Sequence, residues 1–334
     1  MLITRFFVPL QPQKTSLKKF SQIMITRRHI RAKVMQSVYA LQQSQSQDLD
    51  KELKFLEESA ANLYDLYLLQ FSLLTEIHKY ATHQHNIAQK KYLTTNNNIH
   101  LAIVNNQLLC AISQNNALQA AIENAHINLF DVHYEYVKNL YKDICSSSIY
   151  EQYSAQKNDF NTDKDFVIAI FEEIIAPNDE LYDFIDDYNI TWTDDYPIVN
   201  SYIVKLLTNL RPNPPQKYFT PSLYNSDEEK KYLTDLLKKT VLNDDKLKKL
   251  VESKLTNWDK ERVATLDLIL IKMAVSEFLY FPSIPVKVTI NEYLELAKDY
   301  STSKSNFFIN GILTTVYKQL TESDEIKKIG RGLL

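Results

Sequence analysis

Basic side chains near the start of the sequence have the chemistry that binds phosphate. Four of them fall within seven residues: Arg27, Arg28, Arg31 and Lys33. No acidic residue occurs before Asp48, so these cations have no acidic neighbour along the chain and can pair with nucleic-acid phosphates. The cluster therefore predicts an RNA or DNA contact, and a solvated basic face is the plainer alternative.

The segment that carries this cluster has helical periodicity. Its apolar residues recur at intervals of four and three: Ile30, Val34, Val38 and Leu41. This spacing puts them on one face of a helix, which can pack on a helical core and leave the cations beside it. Tyr39 adds an aromatic ring near the same helix, and sites for single-stranded RNA commonly stack bases on such rings.

The sequence offers no comparable pattern for catalysis or metal binding. Four of the seven histidines lie close together: His78, His83, His85 and His100. Zinc ligands usually come from histidines four residues apart on a helix or from paired cysteines, and neither pattern occurs. Because no serine or cysteine carries a nucleophile motif either, we expect a non-enzymatic protein without a cofactor, a metal or a small-molecule substrate.

The scarcity of glycine argues against several large enzyme classes. The chain has 3 glycines in 334 residues, and two of them, Gly330 and Gly332, lie near its end. Phosphate-cradling loops, dinucleotide-binding turns and nucleophile elbows all need glycine where the backbone turns sharply or approaches a ligand. P-loop, Rossmann and hydrolase folds are therefore not expected. Gly311, within a helical pattern, suggests a close approach between two helices.

Composition also limits the partners and the compartment. The formal charge is −3, from 38 basic and 41 acidic residues, which excludes a globally basic nucleic-acid coat protein. Two cysteines in a chain of this length make no disulfide framework, which favours a reducing cytoplasm. The most apolar stretch, residues 266–281, contains three charged side chains and is too short to span a bilayer, so no membrane partner is expected.

The elements that must position the cations are helices. Residues 13–176 contain neither Gly nor Pro and few alternating β-branched runs, so an all-α fold is predicted. Polar tracts at residues 42–47 and 94–98 are typical of loops, and the apolar spacing between them predicts a long helix. A second long helix is predicted at residues 112–141.

Residues 157–200 are strongly acidic, with 12 acidic residues against two lysines. Such a surface repels nucleic acid, so RNA or DNA is expected to bind elsewhere. A divalent-cation site is the alternative. The spacing of the acids does not match an EF-hand loop, however, and that loop also needs a central glycine. A solvated acidic face is therefore the favoured interpretation.

A proline-rich segment divides the chain. Residues 211–221 (RPNPPQKYFTP) contain four prolines and cannot continue a helix. We therefore predict a disordered extension at residues 1–23, an N-terminal helical region with a central insertion at 24–221, and a C-terminal helical domain at 222–334. The C-terminal domain is predicted to contain five helices, at residues 226–241, 245–255, 260–280, 286–300 and 305–320.

Two stretches of the C-terminal domain resemble the NusB family of transcription antitermination factors. They are residues 257–278 (NWDKERVATLDLILIKMAVSEF) and 284–313 (IPVKVTINEYLELAKDYSTSKSNFFINGIL). The family pattern is matched in order and spacing by Trp258, Arg262, Asp267, Glu277, Asn291, Glu292, Ala297, Lys298, Ser305, Phe308, Asn310 and Gly311. The arginine-rich opening of the family is matched by Arg27, Arg28, Arg31, Gln36 and Tyr39.

The resemblance implies a helical bundle of NusB type, with additional helices from the long N-terminal and central region. It implies that the first helix and the loop before the last helix bind boxA-like single-stranded RNA, through Arg27, Arg28, Arg31, Tyr39, Lys304 and Phe308. It further implies a heterodimer with the ribosomal protein NusE, with Asp267 as the candidate contact, and a place in the transcription elongation complex. The implied function is RNA-binding transcription antitermination.

The chain departs from the family pattern in its length and in the loop before the last helix. Residues 45–221 have no counterpart in the shorter family members. Lys304 stands where an acid is common, and Phe307 stands where a lysine is usual.

Two alternative functions remain open. The chain could be a helical protein–protein scaffold without RNA binding, or an RNA-binding module related to the N-terminal domains of RNA cytosine methyltransferases. Those enzymes need a glycine-bearing nucleotide-binding domain and a reactive cysteine motif, which this sequence lacks.

Overall fold

The structure, a computed structural model, describes residues 24–90, 98–156, 159–255 and 263–333. The extension expected at residues 1–23 lies outside the described residues. Throughout the described ranges the regular secondary structure is helical, which confirms the all-α prediction. No helix in these ranges is both long enough and apolar enough to cross a membrane.

The described ranges contain sixteen α-helices in succession. They are α1 (Arg27–Ser44), α2 (Leu49–Lys90), α3 (Asn98–Val104), α4 (Gln107–Ser113), α5 (Asn116–Asn124), α6 (Leu129–Val132), α7 (Tyr134–Ser146), α8 (Ser148–Ser154), α9 (Phe160–Ile170), α10 (Asp179–Tyr188), α11 (Asp195–Thr208), α12 (Asp227–Leu242), α13 (Asp244–Glu252), α14 (Thr265–Tyr280), α15 (Val286–Tyr300) and α16 (Ser305–Glu322). Short π or 3-10 turns lie at Phe171–Ile175, Ile190–Trp192, Gln216–Phe219 and Gly330–Leu333.

Most of the predicted helices are confirmed. The long helix expected between the two polar tracts is α2, which has 42 residues. In the C-terminal part, α12 to α16 match the five predicted helices, and α15 spans the predicted residues 286–300. The predicted start of α14 at residue 260 falls within residues 256–262, outside the described part of the chain.

The single long helix predicted at residues 112–141 is wrong. The chain there contains the end of α4, then α5, α6 and most of α7. The side chain of Asn115 accepts a hydrogen bond from the backbone N–H of Leu118 at 2.8 Å and so begins α5 as a separate helix. After α5 ends, His126 adopts a left-handed backbone with a φ of 55°. Polar side chains that cap helices in this way compete with a continuous helix.

Two hydrophobic cores form, and α2 passes through both. The terminal core contains the buried side chains of residues 25–60 and 232–320. The central core contains chiefly those of residues 63–219. The change from one core to the other therefore occurs within α2, between Ala60 and Leu63.

The first helix packs with helices that come much later in the sequence. Just before α1, the backbone N–H groups of Met24 and Ile25 donate to the carbonyls of Ser222 (3.3 Å) and Leu223 (3.1 Å). The helix then lies against α12, α14 and α15. Its predicted apolar stripe is buried in the terminal core: Ile30, Val34, Val38 and Leu41. The arginine-rich helix is thus held by the same core as the C-terminal helices.

The close helix approach expected at Gly311 does not occur. Gly311 is exposed on α16, and a Cβ at this position would meet no described atom within 4 Å. A close backbone approach occurs instead at Gly332, where a Cβ would lie 1.9 Å from the carbonyl oxygen of Pro282. The segment around Gly332 therefore packs directly on the turn between α14 and α15.

Candidate nucleic-acid interface

The basic cluster of the sequence begins α1, and the start of this helix is capped. The hydroxyl of Thr26 accepts a hydrogen bond from the backbone N–H of His29 (3.4 Å), and Nδ1 of His29 accepts one from the backbone N–H of Thr26 (3.3 Å). This reciprocal capping box places Arg27 and Arg28 in the first helical turn. The helix dipole is positive there, so cations are unfavourable and an anion would be favourable.

An open cavity of about 640 Å³ lies beside this helix start, and we call it the arginine groove. Its walls come from the start of α1, the turn between α14 and α15, the first half of α15 and the segment after α16. The lining residues are Thr26, Arg27, Arg28, His29, Arg31, Ser283, Ile284, Pro285, Val288, Glu292 and Arg331. The groove therefore combines four arginines with one carboxylate.

Arg27 has only weak partners in the described structure. Its guanidinium lies 3.5 Å from Glu228 and 4.0 Å from Glu229, and the side chain of Glu228 is 63% exposed. Its Cζ lies 5.3 Å from the centre of the Tyr232 ring. Exposed ion pairs of this length contribute little free energy, so Arg27 can turn toward a phosphate at little cost.

Arg28 is the second accessible cation of the groove. Its Nε and Nη2 both donate to Glu292 at 3.1 Å, and 42% of its side chain is exposed. The hydrogen bond from Glu292 raises the pKa of Arg28 above its ordinary value, so the guanidinium stays charged. Glu292 on α15 therefore orients Arg28 toward the groove and also competes with any anion that binds there.

Arg31, expected on the RNA side, has a different role in this structure. Its side chain is 2% exposed, and it donates to Glu277 from Nε (2.7 Å) and from Nη2 (3.0 Å). Glu277 is fully buried and also accepts hydrogen bonds from three hydroxyls: Tyr232 (2.5 Å), Tyr293 (2.9 Å) and Thr289 (3.0 Å). The guanidinium therefore joins α1 to α14 in the terminal core, and its remaining nitrogen, Nη1, lies 3.5 Å from Glu292 at the groove.

The charges of this buried pair reinforce each other. Burial alone would raise the pKa of Glu277, but the charge and hydrogen bonds of Arg31 hold it below its ordinary value.

The sequence contains a signal for the buried role of Arg31, because this residue is three residues before Val34 and seven before Val38, on the buried face of α1.

The other predicted RNA contacts lie along α1 and at the far end of α15. Tyr39 is 39% exposed and lies eleven residues after Arg28, about 16 Å along the axis of α1. Lys304 is exposed just before α16. Phe308 is only 7% exposed and packs in the terminal core, whereas its neighbour Phe307 is 83% exposed.

Asp267, expected to contact a protein partner, is 5% exposed at the start of α14. Its two carboxylate oxygens accept hydrogen bonds from the hydroxyls of Ser301 (2.6 Å) and Ser305 (2.8 Å). These bonds tie α14 to both ends of the loop at residues 302–304. Asp267 therefore fixes the loop that carries Lys304.

The central region docks on the same helix as the arginine groove. Lys33 is buried, and its Nζ donates to Asp195 (2.7 Å) and to the hydroxyl of Ser59 (3.0 Å). One turn further along α1, the side-chain amide of Gln36 donates to Asp194. Lys33 is therefore engaged inside the protein, and two acidic residues of the central region stand beside the second half of α1.

Two histidines, His29 and His78, are engaged by protein groups. Burial, followed by the charges of Arg28 and Lys33, lowers the pKa of His29 to about 4, so this residue is neutral at pH 7. Burial also lowers the pKa of His78, whose Nε2 contacts the carbonyl of Val104 at 3.1 Å. Among the described residues, no group of three or more His, Cys, Asp or Glu side chains could hold a metal ion.

Comparison with known proteins points to one family. The sequence profile of the NusB family matches residues 215–318. Three proteins named "Transcription antitermination protein NusB" are similar to the chain. That of Chloroherpeton thalassium is 45% identical over 78 residues, which are 23% of this chain and 37% of the relative. That of Salinibacter ruber is 34% identical over 99 residues, which are 30% of this chain and 62% of the relative.

The third relative, from Natranaerobius thermophilus, is 39% identical over 92 residues, which are 28% of this chain and 66% of the relative. The chain thus spans between 37% and 66% of the length of these three relatives. No solved structure matches the chain.

Proposed function

We propose that this chain, which carries a NusB-family domain at residues 215–318, is a non-catalytic RNA-binding factor of transcription antitermination. It would bind boxA-like single-stranded RNA and act together with the ribosomal protein NusE in the transcription elongation complex. The observation that carries the proposal is the arginine groove, where Arg27 and Arg28 stand partly exposed at the positive end of a helix.

The RNA-binding surface we propose differs from the sequence expectation in two residues. Arg27, Arg28, Tyr39 and Lys304 remain on it, because each is at least partly exposed. Arg31 is left out because its guanidinium is bound to Glu277 in the core. Phe307 takes the place of Phe308, since only an exposed ring can stack on a base.

For the protein partner we propose an indirect role of Asp267. Its carboxylate is engaged by Ser301 and Ser305, so it would act by holding the loop at residues 302–304 in the shape that NusE meets. Asp267→Asn would then weaken NusE binding through the loop, and Ser301→Ala should weaken it in the same direction.

The groove is tested by titrating labelled boxA-like RNA and a scrambled RNA against variants. The Arg27→Gln, Arg28→Gln double variant should weaken binding at least about tenfold, and the slope of log K against log salt should fall by about 1.4, or about 0.7 for each lost phosphate contact. The matched control is Lys248→Gln, Lys249→Gln on α13, which removes two exposed cations elsewhere. Equal losses of RNA affinity in the two double variants would contradict an RNA site in the arginine groove. A wild-type chain that binds neither RNA would favour the alternative of a helical protein–protein scaffold.

The neighbouring phenylalanines give an internal comparison. Phe307→Ala should weaken RNA binding by about 1–3 kcal/mol and leave the free energy of unfolding unchanged. Phe308→Ala removes a core side chain and should lower the free energy of unfolding by about 3–5 kcal/mol. RNA binding unaffected by Phe307→Ala would remove that ring from the interface.

A further inference from the structure

The segment after α16 folds back onto the turn between α14 and α15. The backbone N–H of Ile329 donates to the carbonyl of Pro282 at 3.1 Å. Nζ of Lys328 donates to the carbonyls of Glu277 (3.1 Å) and Phe281 (3.0 Å), at the end of α14. A cation at a helix C-terminus is favourable because it matches the negative end of the helix dipole and can add a second hydrogen bond to the last carbonyls. Lys328 therefore anchors this segment.

Two glycines shape the backbone of this segment. Gly330 has a φ of +53°, in the left-handed region that favours glycine. At Gly332 a Cβ would lie 1.9 Å from the oxygen and 3.0 Å from the carbon of the Pro282 carbonyl. Two of the chain's 3 glycines therefore lie in this segment, and Gly332 is the one that packs against Pro282.

Arg331 stands between the two glycines and lines the arginine groove with Arg27 and Arg28. Its side chain is exposed. The acidic residues of the same segment are engaged elsewhere, since Glu325 pairs with Lys246 at 3.3 Å and Asp324 pairs with Lys327. The segment after α16 therefore places Arg331 at the groove, while Glu325 and Asp324 pair with lysines that do not line the groove.

We propose that residues 325–333 form one wall of the RNA-binding groove and that Arg331 binds an RNA phosphate. This inference rests on the proposed function, and it adds a binding residue that lies beyond the matched NusB domain, which ends at residue 318. The occupant is the phosphate backbone of single-stranded RNA, because a guanidinium offers paired donors to phosphate oxygens and because Arg27 and Arg28 in the same groove offer the same donors.

The first test compares two cations of the segment in the full chain. Arg331→Gln should weaken boxA-like RNA binding about three- to tenfold and lower the salt slope by about 0.7. Lys327→Gln removes the same charge from a side chain that does not line the groove, and it should change neither quantity. If Arg331→Gln behaves like Lys327→Gln while Arg27→Gln, Arg28→Gln weakens binding, the inference fails and the proposed function stands. If the wild-type chain binds no RNA, both fail.

The second test asks whether the glycine contact acts by presenting Arg331. Gly332→Ala keeps every charge but forces the segment away from Pro282, so it should weaken RNA binding as much as Arg331→Gln does. In the Arg331→Gln, Gly332→Ala double variant the two losses should not add, because both remove one contact. Thermal melting of each variant separates a displaced segment from an unfolded domain. Fully additive losses would show that Gly332 acts independently and would overturn the presentation role.

Discussion

The terminal and central parts of the molecule are both helical, but they differ in how they use charge. Residues 61–219 contain 19 acidic and 10 basic residues, whereas the rest of the chain contains 22 acidic and 28 basic residues. All residues that line the arginine groove lie outside residues 61–219. The overall charge of −3 is therefore the sum of an acidic central part, residues 61–219, and a basic terminal part, which is the rest of the chain. Of the two, the basic part is electrostatically suited to an RNA partner.

The two cores also use buried polar groups differently. In the terminal core, the ion pair between Arg31 and Glu277 fixes the arginine-rich helix against α14. In the central core, the buried Asn106 caps α4 by accepting from the backbone N–H groups of Leu108 (3.0 Å) and Leu109 (2.9 Å). In the terminal core a buried ion pair fixes the helix for which RNA binding is proposed, and in the central core a buried side chain caps a short helix.

The largest expected effect comes from breaking the ion pair of the terminal core. Arg31→Met leaves the Glu277 carboxylate buried without its cation, and it should lower the free energy of unfolding by about 3–5 kcal/mol in a denaturant titration. Arg28→Met, whose pair with Glu292 is partly exposed, should cost no more than about 1 kcal/mol. A stable Arg31→Met variant that loses RNA affinity would restore the phosphate role expected from the sequence.

A second, somewhat smaller effect should come from the contact between the two parts. Lys33→Met leaves Asp195 buried and unpaired, and we expect a loss of about 3 kcal/mol in the free energy of unfolding. The control is Lys54→Met, because its pair with Glu58 is 3.8 Å long and exposed, and its loss should be below about 0.5 kcal/mol. If both variants have the same small effect, the central part is not held to α1 by this pair.

Acid should weaken the terminal part through His29. The unfolded chain protonates this histidine near pH 6.5, whereas the folded chain does so only near pH 4, so the unfolded state binds more protons between these values. Stability should therefore fall as the pH is lowered through this window, by about 2 kcal/mol at pH 5. His29→Gln keeps a capping-box residue and should remove this part of the pH dependence. An unchanged pH profile would mean that His29 titrates normally in the fold.

The smallest expected effect is a long-range one. Glu180 and Asp187 are exposed on α10 of the acidic central part. Glu180→Gln, Asp187→Asn should raise RNA affinity by less than about threefold at low salt, and the gain should disappear near 0.5 M salt as screening shortens the Debye length. A loss of RNA affinity would instead place the central part on the RNA.

The helices could be predicted where local patterns decide the structure. The apolar period of α2 and the prolines before α15 act within a few residues, so the sequence alone predicts both elements. The sequence interrupts its apolar period at residues 113–116, but polar residues can also occupy the exposed face of a continuous helix, and the cap bond to Leu118 is what shows that a new helix begins after Asn115.

The candidate site could be predicted only in part, because its residues depend on distant partners. The sequence places Arg27 and Arg28 at a helix start. The role of Arg31 differs because its guanidinium binds the carboxylate of Glu277, which comes 246 residues later in the sequence. Phe307 and Phe308 are adjacent, and only packing decides which ring is exposed. Nothing in the sequence around Arg331 indicates that it lies near α1. The two glycines beside it indicate only an unusual backbone conformation or a close approach.

Hydrogen–deuterium exchange of the full chain, with and without boxA-like RNA, compares the two parts most directly. If RNA binds in the arginine groove and across the rest of the proposed surface, bound RNA should slow backbone exchange at residues 24–39, 283–292, 302–307 and 325–333, and it should leave residues 98–156 and 159–219 unchanged. Slower exchange confined to the central residues would contradict an RNA site in the terminal part of the molecule.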